Sequence, residues 1–343
     1  MNNSVRNSFK DPTATEILTT VTPEMEFHTQ RIIQQGIYAV IFFLSMVGNA
    51  AMFAVLLKGR RLCSSKNVLL MNMILAESLV AMTSIPFDFA LLFQDEGWVF
   101  GSFMCHVLWP LQTAPFGALV LTLTAMSVQR YKGIVRKLRK RKQSVDTSYC
   151  TVASIWVFSV IIVIPFGVFL RLEDGKCSET WGKTGGQVYT VVLFAFHYAI
   201  PLTVITYCYA RIANRIRRGH EEGHSIISGT RQARLKRSRR HVRAVRMVIL
   251  FVVVFAICML PHQVVWLWMT FGDNVEHSSS LLTFAYMFTF TSSVVNPLVY
   301  FTHNPALRAR LFAIVTCRSF PRIPSFRRGS IFGSSDSSHD CRV

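Results

Sequence analysis

Charge is scarce in this chain. Asp, Glu, Lys and Arg make up 16% of its 343 residues, where soluble domains carry about 25%. Acid is the scarcer sign, with 18 Asp and Glu against 37 Lys and Arg, a net charge of +19. Cysteine is thin: eight residues scattered along the chain do not make a small disulfide-stapled fold. No repeat of about 20–50 residues is visible and the two halves show no duplication, so solenoids and repeat-built transporters are not indicated. Residues 1–30 have no apolar core segment, so no cleavable signal peptide is expected. No apolar stretch holds a His-x-x-x-His or paired-carboxylate motif. No enzymatic chemistry, metal or cofactor is therefore expected.

What is abundant is apolar surface: 51% hydrophobic residues, 27 of them Phe, which excludes disorder for most of the chain. It is concentrated in blocks. A helix needs about 20 mostly apolar residues to cross a bilayer, and seven stretches qualify: 32–57, 67–93, 103–127, 148–170, 188–209, 245–269 and 280–301. A soluble bundle would show amphipathic stripes with charged outer faces; these stretches carry almost no charge on any face. The cations orient the bundle, for 31 of the 37 fall on one side, in the links, the tail and, at Arg246, the edge of the sixth stretch, and 6 on the other. The positive-inside rule puts the richer side in the cytoplasm and the N-terminus outside. The basic excess therefore reads as topology and not as a nucleic-acid surface. The expected fold is an all-α membrane protein, a seven-transmembrane helix bundle, multi-pass in the plasma membrane. Asn2-Asn3-Ser4 is a glycosylation sequon on the outer side.

Cys105 and Cys177 are the two cysteines placed on the oxidising side, so a bridge between them is the economical inference. Pro86, Pro165, Pro201, Pro261 and Pro297 fall inside spans, where each frees a carbonyl and bends the helix. For Pro261 and Pro297 the reading is a hinge. After the seventh span, Asn304 suits an N-cap and Pro305 a first helical position; Leu307, Leu311 and Phe312 then share a face. That describes a short interfacial helix, with Cys317 beyond it as a palmitoylation candidate.

Motifs fall in order along the spans: Gly48-Asn49; Asn72 through Glu77; Gln129-Arg130-Tyr131; Trp156; Pro201 and Tyr209; Cys258-Met259-Leu260-Pro261; Asn296-Pro297-Leu298-Val299-Tyr300. The ordered set resembles the rhodopsin-like (class A) family of G-protein-coupled receptors over about residues 30–317. The resemblance implies the same Cys105–Cys177 bridge and an extracellular N-terminus over 1–31. It implies a seven-helix domain over 32–302, an amphipathic eighth helix over 303–317 and a disordered cytoplasmic tail over 318–343. It implies activation and coupling residues at Gln129, Arg130, Tyr131, Tyr209, Met259, Pro261, Asn296, Pro297 and Tyr300. The implied partners are an extracellular ligand, a heterotrimeric G protein, arrestin, receptor kinases and membrane lipids. Phosphorylation is expected at Ser330, Ser334, Ser335, Ser337 and Ser338, with Ser319 and Ser325 nearby.

The ligand class follows from what is missing. Amine receptors of the family carry an Asp seven residues after the disulfide Cys; this chain has Gln112, and a buried ammonium needs a carboxylate. No Lys follows Lys236, which excludes a retinal Schiff base in the seventh span. Gln112 suits peptide amides, and the stretch from Leu260 to Trp268 resembles neuropeptide receptors of the galanin and bombesin type. The expected ligand is a neuropeptide; the alternatives are a lipid or other small-molecule ligand and, more remotely, a polytopic transporter. Expected ligand contacts are Asp88, Gln112, His197, His262, Gln263, Trp266 and Tyr286, below an outer surface with 11 further acidic residues against 6 basic ones.

The chain departs from the family at several positions. Glu77 replaces the usual Asp of the second span, Leu119 a Ser, and Ser292 an Asn. The extra methylene and the lost oxygens disfavour a sodium site, and Glu77 is expected to bond toward Asn49 and Asn296. Met259 stands where the family has Trp, and Gln129 where it has an acid.

Overall fold

The computed structural model describes residues 14–58, 65–91, 97–135, 145–221, 228–272, 278–303 and 305–316. Asn2, Cys317 and the tail serines lie outside these residues. In chain order the described elements are α1 (Ala14–Lys58), α2 (Ser65–Leu91), α3 (Gly101–Ile134), α4 (Val145–Phe169), a hairpin of β1 (Leu170–Glu173) and β2 (Lys176–Glu179), α5 (Lys183–Phe194), a π-turn (Ala195–Ala199), α6 (Ile200–Glu221), α7 (Ser228–Phe271), α8 (Ser278–His303) and α9 (Pro305–Val315). Seven of these segments are long and apolar enough to cross a membrane, α5 and α6 counting as one through the π-turn.

The helix centres follow the apolar blocks, but the ends run further. α1 begins at Ala14 instead of 32, and α7 at Ser228 instead of 245. Apolarity marks where a helix meets hydrocarbon and not where its backbone hydrogen bonds end: residues 231–244 of α7 are rich in Arg, Ala and Gln, which favour helix without favouring lipid, and α1 runs on through Pro23. The π-turn has a local cause. Pro201 has no N–H to offer the carbonyl one turn back, and the chain relaxes into a wider turn in which Ile200 N–H bonds to Ala195 O.

The bundle sets polar groups into an apolar core and turns an apolar face outward. Ser45, Asn49, Asn72, Glu77, Thr122, Ser159, Ser293 and Asn296 are buried, while Phe43, Val157, Ile161, Val188, Ile257 and Phe284 are exposed. Water could not tolerate that surface; lipid requires it. The interior polar groups tie helices together. Asn72 of α2 donates to Thr122 Oγ1 of α3 at 2.7 Å and accepts from Trp156 Nε1 of α4 at 2.8 Å. Asn49 of α1 donates to Ser45 O and to Ser293 O of α8, at 3.0 and 3.3 Å.

The hairpin closes one end of the bundle. Its two-residue turn, Asp174-Gly175, has φ of 49° and 73°, the left-handed pair that a tight hairpin needs. It is fastened twice. Cys105 of α3 is bonded to Cys177 of β2, with Cα atoms 5.6 Å apart, and Trp98 N–H bonds to Gly175 O at 2.8 Å. The second contact demands glycine at 97, where φ is 90° and a Cβ would lie 2.6 Å from Gly175 O. The bridge was expected; the hairpin it holds was not.

Removing the bridge tests this fastening. Deleting a native disulfide costs about 2–5 kcal/mol in small secreted domains. Cys105→Ala should lower surface display severalfold, read by flow cytometry with an N-terminal epitope tag, and Cys105→Ala/Cys177→Ala should not restore it. Normal display of either variant would make the bridge dispensable.

Candidate functional site

Beneath the hairpin the helices enclose a cavity of about 460 Å³. α2 contributes Asp88, α3 Gln112, the π-turn His197, α7 His262, Gln263 and Trp266, and α8 Tyr286. The structure thus gathers on one wall system all seven residues singled out from the sequence as ligand contacts. Gln112 donates from Nε2 to Thr83 O at 3.1 Å, and its side chain lies beside the Asp88 carboxylate. The carboxylate remains in contact with the cavity. The His262 and Tyr286 rings lie 5.0 Å apart, and His262 stacks on Trp266 at 6.0 Å.

His197 is 6% exposed and reaches the wall because α3 has no side chain in its way. A Cβ on Gly117 would stand 2.8 Å from His197 Nε2. Phe116 meets the same imidazole edge-on at 5.6 Å and stacks below on Phe255 at 6.2 Å. Met259, where the resemblance leads one to expect Trp, is buried and also lines the cavity.

Residues not singled out from the sequence complete the wall: Trp109, Phe116, Phe166, Glu179, Phe194 and Phe290. Two were within reach of the spacing. Trp109 and Phe116 stand at i−3 and i+4 from Gln112 and share its helix face. Glu179 enters from β2, and its Oε2 accepts from Trp181 Nε1 at 2.5 Å. The cavity therefore sets one deep carboxylate and one near the hairpin among aromatic walls. That chemistry suits a cationic group flanked by apolar surface. Among the described residues no group of three or more His, Cys, Asp or Glu is placed to hold a metal.

Below the cavity lies a polar core. Glu77 is 1% exposed and its Oε1 accepts from Asn296 Nδ2 of α8. The expected bond to Asn49 is not made. Asn49 faces the carbonyls of Ser45 and Ser293 instead, because α1 meets α8 there and its amide is consumed closing that seam. Among the described residues Asn296 Oδ1 is buried without a partner, and Ser292 is buried one turn earlier on α8.

At the far end of α3 sits Arg130, half-buried. The Tyr209 and Tyr300 side chains, from α6 and α8, lie beside it. Tyr300 stacks on Phe251 of α7 at 6.4 Å, Tyr131 meets Tyr207 at 6.0 Å, and the buried Tyr209 hydroxyl has no hydrogen bond among the described residues. Pro261 stands in α7 at the level of the cavity, between Met259 and His262, and Pro297 in α8 between the cavity and this end. Gln129, also half-buried, precedes Arg130.

Seven apolar helices around a hairpin-capped cavity, with Arg130 beside Tyr209 and Tyr300 at the opposite end, define a multi-pass membrane protein of receptor architecture. The family model described as 7 transmembrane receptor (rhodopsin family) matches residues 48–300, and the chain belongs to that family, which is one of receptors and not of enzymes. It is similar to the neuropeptide CCHamide-1 receptor of Drosophila melanogaster, at 28% identity over 88% of this chain and 64% of that receptor. The chain thus spans somewhat less than two thirds of that relative's length. It is also similar to human galanin receptor type 2, at 25% identity over 92% of this chain and 81% of the relative, and to bombesin receptor subtype-3 of Ovis aries, at 26% over 83% and 76%.

Proposed function

We propose that the chain is a plasma-membrane receptor, N-terminus outside, that binds a cationic neuropeptide in the hairpin-capped cavity and activates a heterotrimeric G protein at the arginine end. The observation that carries the ligand class is Asp88: a carboxylate beside Gln112 and open to an aromatic cavity. An intramembrane acid is costly unless a cation or water meets it. The relatives named for neuropeptides, galanin and bombesin support a peptide ligand, and the cation asymmetry along the sequence supports the orientation.

The mechanism is a two-state bundle biased by the ligand. A peptide that engages Asp88 and Gln112 on one side and His262, Trp266 and Tyr286 on the other draws α7 and α8 toward α2 and α3. Movement of α7 about Pro261 then opens the opposite end around Arg130, Tyr209 and Tyr300, where the G protein docks. Met259 and Phe255 connect the two levels, packed between cavity and core. The test is a panel of synthetic neuropeptides, basic and acidic, applied to cells expressing the receptor with calcium and cyclic-nucleotide readouts. Activation by basic members alone is the expected result; activation confined to lipids or acidic peptides would overturn the reading.

The tail serves as the off-switch in this reading. Each phosphate adds about 1.5–2 negative charges, and phosphorylation of Ser330, Ser334, Ser335, Ser337 and Ser338 by receptor kinases would present an acidic surface to arrestin. Arg327-Arg328-Gly329-Ser330 suits a basophilic kinase. Truncation after Cys317 should at least halve agonist-driven arrestin recruitment, measured by energy transfer between tagged partners; undiminished recruitment would place the arrestin signal elsewhere. Glycosylation of Asn2 and palmitoylation of Cys317 complete the proposal, read respectively by glycosidase shift and acyl exchange.

A further inference from the structure

At the arginine end a second cavity, of about 370 Å³, lies between α6 and α7. Its walls are apolar: Ile212 and Ile216 from α6, Val245 and Ile249 from α7. Its cations are Arg217 and Arg246, both exposed, and no carboxylate lines it. The burial pattern shows which way it opens. On α7, Val245, Val248, Val252 and Phe255 face the core, whereas Ile249, Val253 and Ile257 are 38%, 44% and 58% exposed, and Arg246 shares their outer side. On α6, Cys208 and Ile212 are buried while Ala213 and Arg217 are exposed. The floor therefore belongs to the bundle and the mouth looks sideways, toward the bilayer. Along α6 the cavity runs from Tyr209 to Arg217, about 12 Å of helix rise.

We propose that this lateral groove binds an anionic glycerophospholipid, its phosphodiester on Arg217 and Arg246 and one acyl chain along Ile212, Ile216 and Ile249. Charge complementarity selects the headgroup. Two guanidiniums on the rim of one groove, from α6 and α7, favour a phosphate, which each can bond with paired N–H groups. Basic pockets between membrane helices take anionic headgroups for this reason. The apolar walls select a lipid over a free anion. The outward mouth selects it over a protein segment entering from the end of the bundle. A lipid seated there also sets the spacing of α6 and α7 on the side where α7 has to move.

The test uses the purified full-length receptor in nanodiscs and native mass spectrometry of retained lipid. Dioleoylphosphatidylserine should be retained about tenfold more than dioleoylphosphatidylcholine. Arg217→Ala/Arg246→Ala should lower that preference at least fivefold, and Arg217→Lys/Arg246→Lys should keep most of it. Ile249→Trp, which fills the groove and leaves both guanidiniums, should lower retention of phosphatidylserine as well. The control is Arg211→Ala/Arg218→Ala, which removes exposed cations of α6 outside the groove and should change nothing. Equal loss in the control would reduce the effect to diffuse surface charge and overturn the site. So would full retention in Ile249→Trp together with displacement of the lipid by soluble glycerophosphoserine, which would mean a headgroup contact without a groove. Neither result depends on the identity of the receptor's agonist.

Discussion

Asp88→Asn lowers the potency of a basic-peptide agonist by about a hundredfold or more while surface display stays within about twofold. The substitution keeps the shape of the side chain and its place beside Gln112 and removes the charge alone. Truncating one partner of a buried ion pair costs about 3–5 kcal/mol, which is two to three decades or more in affinity. The free receptor suffers no such penalty, because among the described residues the carboxylate has Gln112 beside it and no cation. Concentration–response curves for the active member of the peptide panel, with cell-surface binding of an N-terminal tag measured in parallel, decide the matter. Glu179→Gln is the internal comparison. Glu179 is exposed and already bonded to Trp181, so its pair with a ligand is screened and worth about 0–1 kcal/mol. If the two substitutions exchange effects, charge recognition sits at the hairpin and the deep pocket serves shape alone.

The parts of this site that could be read in the sequence were those marked by rarity. A carboxylate in an apolar stretch, as at Asp88 or Glu77, is conspicuous because the bilayer penalises it. Gln112 was found by its spacing from Cys105, and the bridge by the placement of two cysteines on one side of the bundle. The aromatic walls escaped because Phe and Trp are common in membrane helices, and nothing in the residue type separates Phe116, which faces the cavity, from Phe158, which is exposed outside. The hairpin escaped for another reason. Strands of four residues, Leu-Arg-Leu-Glu and Lys-Cys-Ser-Glu, are too short for alternation to register, although Asp174-Gly175 between them is the strongest short turn signal there is. The Glu77–Asn296 bond was legible and the supposed Asn49 contact was not, since which carbonyl an amide reaches depends on how closely two helices approach.

The same logic of missing partners governs the opposite end. The receptor should signal without agonist, and Gln129→Glu should lower that basal signal. In the family this chain belongs to, the arginine of the third span is held in the resting state by the acid before it, and often by another at the inner end of the sixth span. Here the preceding residue is Gln129, and the sixth-span helix begins its apolar run after Arg239-Arg240-His241-Val242-Arg243, which holds no acid. Among the described residues, the side chains that act on Arg130 are those of Tyr209 and Tyr300, and neither is a carboxylate. A hydrogen bond to a charged partner is worth about 1.5–3 kcal/mol, against about 1 kcal/mol for a neutral one. Losing about 1–2 kcal/mol of resting-state bias raises the active fraction about five- to thirtyfold while that fraction is small. Restoring a carboxylate at 129 places it one residue from the guanidinium, on the same half-buried stretch, and should recover most of the difference. The measurement is agonist-free nucleotide exchange on the coupled G protein, at matched surface density, for the natural receptor, Gln129→Glu and Gln129→Ala. Gln129→Ala separates charge from size: it removes the amide without adding charge and should leave basal activity high. A natural receptor at the level of untransfected membranes, unchanged by Gln129→Glu, would mean that Glu77, Asn296 and the tyrosines around Arg130 hold the resting state without any carboxylate on the arginine.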